Sequence, residues 1–216
     1  MLDMLAGALL LPLFFYFAYN FRLLTVLILT LLTSIAFACF QFYSLYDQVG
    51  IFPFLGLLSG IIVIHMEKHR LNENFSSFSL AYKVIGTITI ATSLYAMSLE
   101  FFVSAFVKAH LYGTGPLWIF YIATAVLGSY VISKKYNDLS TIVRENFTWL
   151  VLDVLVFILL LVPLSKSILF TVTNVSLFIW ATLIICQGYI TNDKFYIYVG
   201  ILTLIAFVTS KTLALL

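Results

Sequence analysis

The chain is built from long apolar runs separated by short polar interruptions. Eight runs stand out, at residues 2–19, 23–40, 51–66, 84–106, 117–132, 148–164, 168–187 and 195–215. A helix needs about 20 mostly apolar residues to cross the hydrocarbon core of a bilayer. The interruptions consist of charges, Asn, Gly and Pro, the residues that end such runs. A transmembrane β-barrel would instead alternate apolar and polar residues over segments of about ten. Runs such as 23–40 and 150–162 are nearly continuous, without that alternation. The pattern predicts an all-α fold: a polytopic transmembrane helix bundle of about eight helices with short loops, one domain over residues 1–216. The two longest polar stretches, 67–83 and 133–147, are too short to fold a nucleotide-binding or substrate-binding domain. Function must then reside in the helices, in the loop surfaces or in a partner.

Composition narrows the picture further. The chain is 63% hydrophobic and 9% charged, against about 45–50% apolar and about 25% charged in soluble domains. Eleven basic and nine acidic side chains cannot cover a globular surface of this size. A soluble enzyme, a nucleic-acid binder and a disordered tail are excluded. The net charge of +2 is too small to imply a polyanionic partner. Cys39 and Cys186 both lie inside apolar runs and read as packing residues, not as a redox pair.

The basic residues are unevenly distributed. Arg22, Lys68, Arg70, Lys83, Lys134, Lys135, Arg144 and Lys194 follow the odd-numbered runs, whereas Lys108, Lys166 and Lys211 lie on the other side. By the positive-inside rule both termini are outside, and the stretches 67–83 and 133–147 are cytoplasmic. The start lacks the basic region and cleavage pattern of a signal peptide, and residue 2 is Leu, so no myristoylation motif opens the chain. Asn74-Phe75-Ser76 and Asn146-Phe147-Thr148 match the N-glycosylation pattern. The charge count puts both on the side where that modification does not occur. Each is preceded by Glu, so Glu-Asn-Phe-(Ser/Thr) recurs before two runs and hints at repeated helical hairpins.

Away from the run ends, three charged residues fall within the runs: Glu100, Asp153 and Lys211. A charge near the bilayer centre costs several kcal/mol unless paired, so each is a functional candidate. Glu100 and Lys211 are expected at similar depth, where a pair would neutralise both. The alternatives are a proton or cation site, a structural bridge, or a lysine that snorkels to the interface. Asp153 lies nearer the cytoplasmic end. Thr87, Thr89, Thr92 and Ser93 supply some of the polar groups that a relay towards Glu100 would need, although helical Ser and Thr also serve ordinary helix packing.

His65 and His69 are spaced i, i+4, and Glu73 follows after four more residues. On one continuous helix the three would share a face and resemble a zinc set. The neighbouring Lys68, Arg70, Asn72 and Asn74 argue against it, and the HExxH protease spacing is absent. A metal is therefore not favoured, and no cofactor is expected. Gly56 and Gly60 form a GxxxG, and Ala125 and Ser129 repeat its spacing. Small residues four apart let helix backbones approach closely, within the bundle or across a homodimer. No phosphate loop or nucleophile elbow is present, so a non-enzymatic protein is expected.

Ala38-Cys39-Phe40-Gln41-Phe42-Tyr43 and Leu80-Ala81-Tyr82-Lys83-Val84-Ile85-Gly86, set within many short-looped helices, give the chain a layout that resembles a bacterial family of predicted polytopic membrane proteins. That family is labelled domain of unknown function twenty-one fifty-seven. The resemblance implies a bacterial inner-membrane protein and a cytoplasmic segment ahead of the first helix, which would make Met1 an internal start. It assigns no activity and no site residue. The expectation is a membrane scaffold, anchor or complex subunit, with the lipid bilayer and a membrane-protein partner or second copy as its contacts and no nucleic acid. A small-solute or proton-coupled transporter and a membrane sensor module are the alternatives.

Overall fold

A computed structural model describes residues 2–46, 51–67, 76–111, 115–135, 139–162 and 165–213. Among these residues the fold is all-helical. The order is α1 (Leu2–Asn20), α2 (Leu24–Tyr46), α3 (Ile51–Glu67), α4 (Ser76–Met97), α5 (Glu100–Leu111), α6 (Gly115–Lys135), α7 (Leu139–Leu161), α8 (Lys166–Thr191) and α9 (Lys194–Leu213).

Four stretches are long and apolar enough to cross a membrane: Leu24–Gln41, Ser77–Met97, Lys166–Thr191 and Lys194–Thr212. Shorter apolar stretches occupy Leu10–Asn20, Ile51–Met66, Gly115–Val126 and Phe147–Leu161. Against the expected eight or so, four spans of membrane length are thus found among the described residues.

Helix α3 is the centre of the bundle. It touches α2, α4, α5, α6 and α7, and most of its side chains are buried, from Ile51 and Phe54 to Ile64. A helix apolar all round is satisfied in a protein core, as here, or against lipid. The main core spreads from α3 through Leu94, Trp149, Val156, Leu177 and Trp180. A smaller core joins α1, α2, α3 and α4 through Ala18, Leu27, Val63, Phe78 and Tyr82. The outside is apolar as well, with Leu29, Phe101, Ile119, Ile190 and Leu202 exposed. Lipid is the solvent that such a surface tolerates without penalty.

Helices α3 and α4 cross in close backbone contact. A Cβ on Gly86 would lie 2.9 Å from the Ile64 amide nitrogen and 3.1 Å from the Gly60 carbonyl oxygen, so the two backbones touch there. Two tight turns join helical hairpins. Asn192 adopts the left-handed conformation (φ 54°, ψ 37°) after α8, and the Asp193 N–H donates to the Gly188 carbonyl at 2.8 Å. Asn tolerates this region because its short side chain interacts with the local backbone. Arg22 takes φ 54° between α1 and α2, where the Leu23 N–H donates to the Ala18 carbonyl at 2.9 Å.

Two expectations about element boundaries are corrected. The run 84–106 is not one helix, because it breaks at Ser98-Leu99 between α4 and α5. In addition, α4 begins at Ser76 and α7 at Leu139, so much of the stretches 67–83 and 133–147 is helix and not loop. Backbone hydrogen bonding continues past the point where side chains turn polar. The end of an apolar run marks a change of solvent, not the end of a helix.

Candidate functional site

Three arrangements of charged or histidine side chains stand out among the described residues. The first lies between α3 and α7. His65, in the last turn of α3, is 4% exposed. Its Nδ1 is 2.7 Å from the Ile61 carbonyl oxygen, one turn back. A carbonyl can only accept, so Nδ1 carries the hydrogen and Nε2 is turned away from it. Nε2 lies 4.0 Å from Asp153 Oδ2, somewhat beyond hydrogen-bond length. From α6, the Tyr121 hydroxyl donates to the Asp153 carbonyl at 3.3 Å. Trp118, Tyr121 and Phe157 wall the α6–α7 side, with ring centroids 5.7–6.3 Å apart. A carboxylate facing an imidazole in a largely dry interface can hold a proton on either partner. Holding a proton is the chemistry available to this pair.

The second arrangement lies at the break between α4 and α5. Lys211 of α9 does not pair with Glu100. Its ammonium donates to the Ser98 carbonyl at 2.8 Å and sits 4.7 Å from the Phe170 ring centroid and 5.5 Å from that of Phe207. A continuous helix would give the Ser98 carbonyl to the amide four residues on. The break releases that acceptor, and Lys211 takes it. Glu100, at the start of α5, instead accepts from Lys166 at the start of α8, at 2.6 Å. The Lys166 ammonium holds the Glu100 carboxyl below the ordinary glutamate range. This pair is exposed, and exposed pairs are screened and contribute little.

The third arrangement involves residues that the sequence pattern did not single out as a pair. Asp193 accepts from Lys83 at 2.5 Å through Oδ2 and from the Phe195 N–H at 3.0 Å through Oδ1. One carboxylate thus caps α9 and ties the α8–α9 turn to α4. Lys83 also lies 5.4 Å from the Tyr196 ring centroid. An acidic residue directly before a helix was the available signal, but its partner is far away in sequence.

Other sequence candidates can be placed individually. Gly56 and Gly60 face α4, where their nearest neighbours include Ser93, Ile90 and Gly86. Ala125 is half-buried on α6; Ser129 belongs to the same helix, and its side chain lies outside the described residues. His69 and Glu73 also lie outside the described residues. Among the described residues, no three His, Cys, Asp or Glu side chains gather to hold a metal. Of the Thr and Ser considered for a relay, Thr92 gives its hydroxyl to the Ile88 carbonyl at 2.7 Å, inside its own helix. Ser93 is packed against Gly56. Cys39 is half-buried and Cys186 exposed, both as free thiols.

No protein family, curated protein or solved structure matches the chain.

Proposed function

We propose that this chain is a non-enzymatic, multi-pass protein of a bacterial inner membrane that serves as a scaffold, anchor or subunit of a membrane complex. One observation carries the reading. The three charges singled out within the apolar runs each face a protein group: Lys211 a backbone carbonyl, Glu100 Lys166, and Asp153 His65. Among the described residues, neither the cavity among α1, α2, α3, α4 and α6 nor the groove between α4 and α9 is lined by any of these groups. On this reading they act as fasteners between helices. The bacterial setting follows from the layout resemblance, and the cytoplasmic placement of 67–83 and 133–147 from the basic residues.

A proton-coupled transporter is the second reading, favoured by the facing His65 and Asp153 alone. Purified protein in liposomes with an entrapped pH-sensitive dye separates the two. After an external acid step, the dye should respond at the rate of protein-free liposomes, with no change in Asp153→Asn. A faster response that disappears in Asp153→Asn would overturn the scaffold reading.

A further inference from the structure

A cavity of about 440 Å³ lies among α1, α2, α3, α4 and α6, within the range of roughly 300–1,000 Å³ typical of small-molecule sites. Its walls are apolar, formed chiefly by Phe15, Leu31, Ile35, Ile62, Val63 and Phe120. Ser34 also lines it, but its hydroxyl is used by the Thr30 carbonyl at 2.7 Å. Ser59 of α3 is a further polar residue of the lining, and beside it stands a phenol pair. Tyr19 Oη and Tyr82 Oη are 2.6 Å apart, one near the end of α1 and the other near the start of α4. Tyrosines at a membrane edge ordinarily turn towards the headgroups. Tyr82 is instead 2% exposed and lines the cavity.

From these features we infer that the cavity is a binding site for one acyl chain of a membrane phospholipid, with the ester carbonyl at Tyr19 and Tyr82 and the chain running inward towards Phe120. Three arguments support this occupant. Two lining elements, α2 and α4, contain stretches long enough to cross a membrane, so the medium available at this depth is hydrocarbon. Water needs two to four polar partners to be held in a cavity, and the wall offers few; an empty apolar space forfeits dispersion contacts along its whole lining. Finally, the polarity gradient matches a lipid. The phenols lie near the end of α1 and the start of α4, where the polar ends of these helices meet, and the apolar walls extend from there. The inference rests on the membrane reading above.

The test uses the full chain in phospholipid nanodiscs containing a phosphatidylethanolamine with a diazirine midway along one acyl chain. After illumination, adducts are mapped by peptide mass spectrometry. Adducts are expected on the cavity residues Ile35 and Ile62 as well as on the lipid-facing Leu29 and Leu32. Ala38→Phe, which fills the cavity from α2, should reduce the cavity adducts at least three-fold and leave the outer ones unchanged. Tyr82→Phe, the milder change, should lower the fraction of protein that retains one lipid in native mass spectrometry at least three-fold. Unlabelled cavity residues in the parent protein beside labelled Leu29 and Leu32 would overturn the inference. Labelling by a photoactivatable polyprenol but not by the phospholipid would overturn the choice of occupant. A chain that does not enter the discs at all would overturn the membrane reading itself.

Discussion

Asp193 shows how one side chain can hold two kinds of structure at once. Its Oδ1 satisfies an amide at the start of α9 and its Oδ2 binds Lys83, 110 positions away in the chain. The two roles separate by substitution. Asp193→Asn keeps a good cap and loses the ion pair, whereas Asp193→Ala loses both. Loss of the cap is worth about 0.5–2 kcal/mol, so the Ala variant should be less stable than the Asn variant by about that amount. Unfolding in mixed detergent micelles, followed by circular dichroism, measures the difference; equal stabilities would mean that the cap contributes nothing. Ser98 and Lys211 carry a related lesson, because the partner of the half-exposed lysine is a backbone oxygen released by a helix break. Similar depth along the sequence offers Glu100 as one possible partner among several readings, and the fold gives Lys211 the Ser98 carbonyl instead. Glu100 begins a new helix, and its carboxylate is engaged by Lys166.

At the scale of elements, the α3–α4 crossing is set by glycine on both sides, but only one side has a readable spacing. Gly56 and Gly60 form a motif, whereas Gly86 stands alone and becomes significant only because it faces Gly60. Gly86→Ala would drive a methyl into the Ile64 backbone, which cannot yield as a flexible side chain can. Overpacking of this kind costs about 1–3 kcal/mol. Gly115→Ala is the control, since a Cβ there meets nothing within 4 Å. Thermal unfolding in detergent should show a lower midpoint for Gly86→Ala and no loss for Gly115→Ala. A Gly86→Ala protein as stable as the parent would show that the helices slide apart at little cost. Lengths of elements follow the same division. The apolar runs located the helices, but α4 and α7 extend into polar sequence because hydrogen bonds along a helix do not depend on what its side chains prefer.

For the whole molecule, the basic residues make a claim about orientation that labelling can check. With Cys39 and Cys186 replaced by Ser, Ser165→Cys and Asn192→Cys place single thiols at opposite ends of α8. A membrane-impermeant maleimide should label Ser165→Cys in intact cells and Asn192→Cys only after the membrane is permeabilised. The reverse pattern would invert the topology. The all-helical class and the medium suited to the surface were legible from the one-dimensional pattern, because both depend on how much apolar area each stretch carries. The pairing of Asp153 with His65, of Lys211 with Ser98 and of Tyr19 with Tyr82 was decided only by the packing of helices distant in sequence. Hydrophobicity is additive along a chain, so a sequence displays it directly. A polar contact between two helices depends on their rotation, depth and crossing point, and those are set jointly by every neighbour in the bundle.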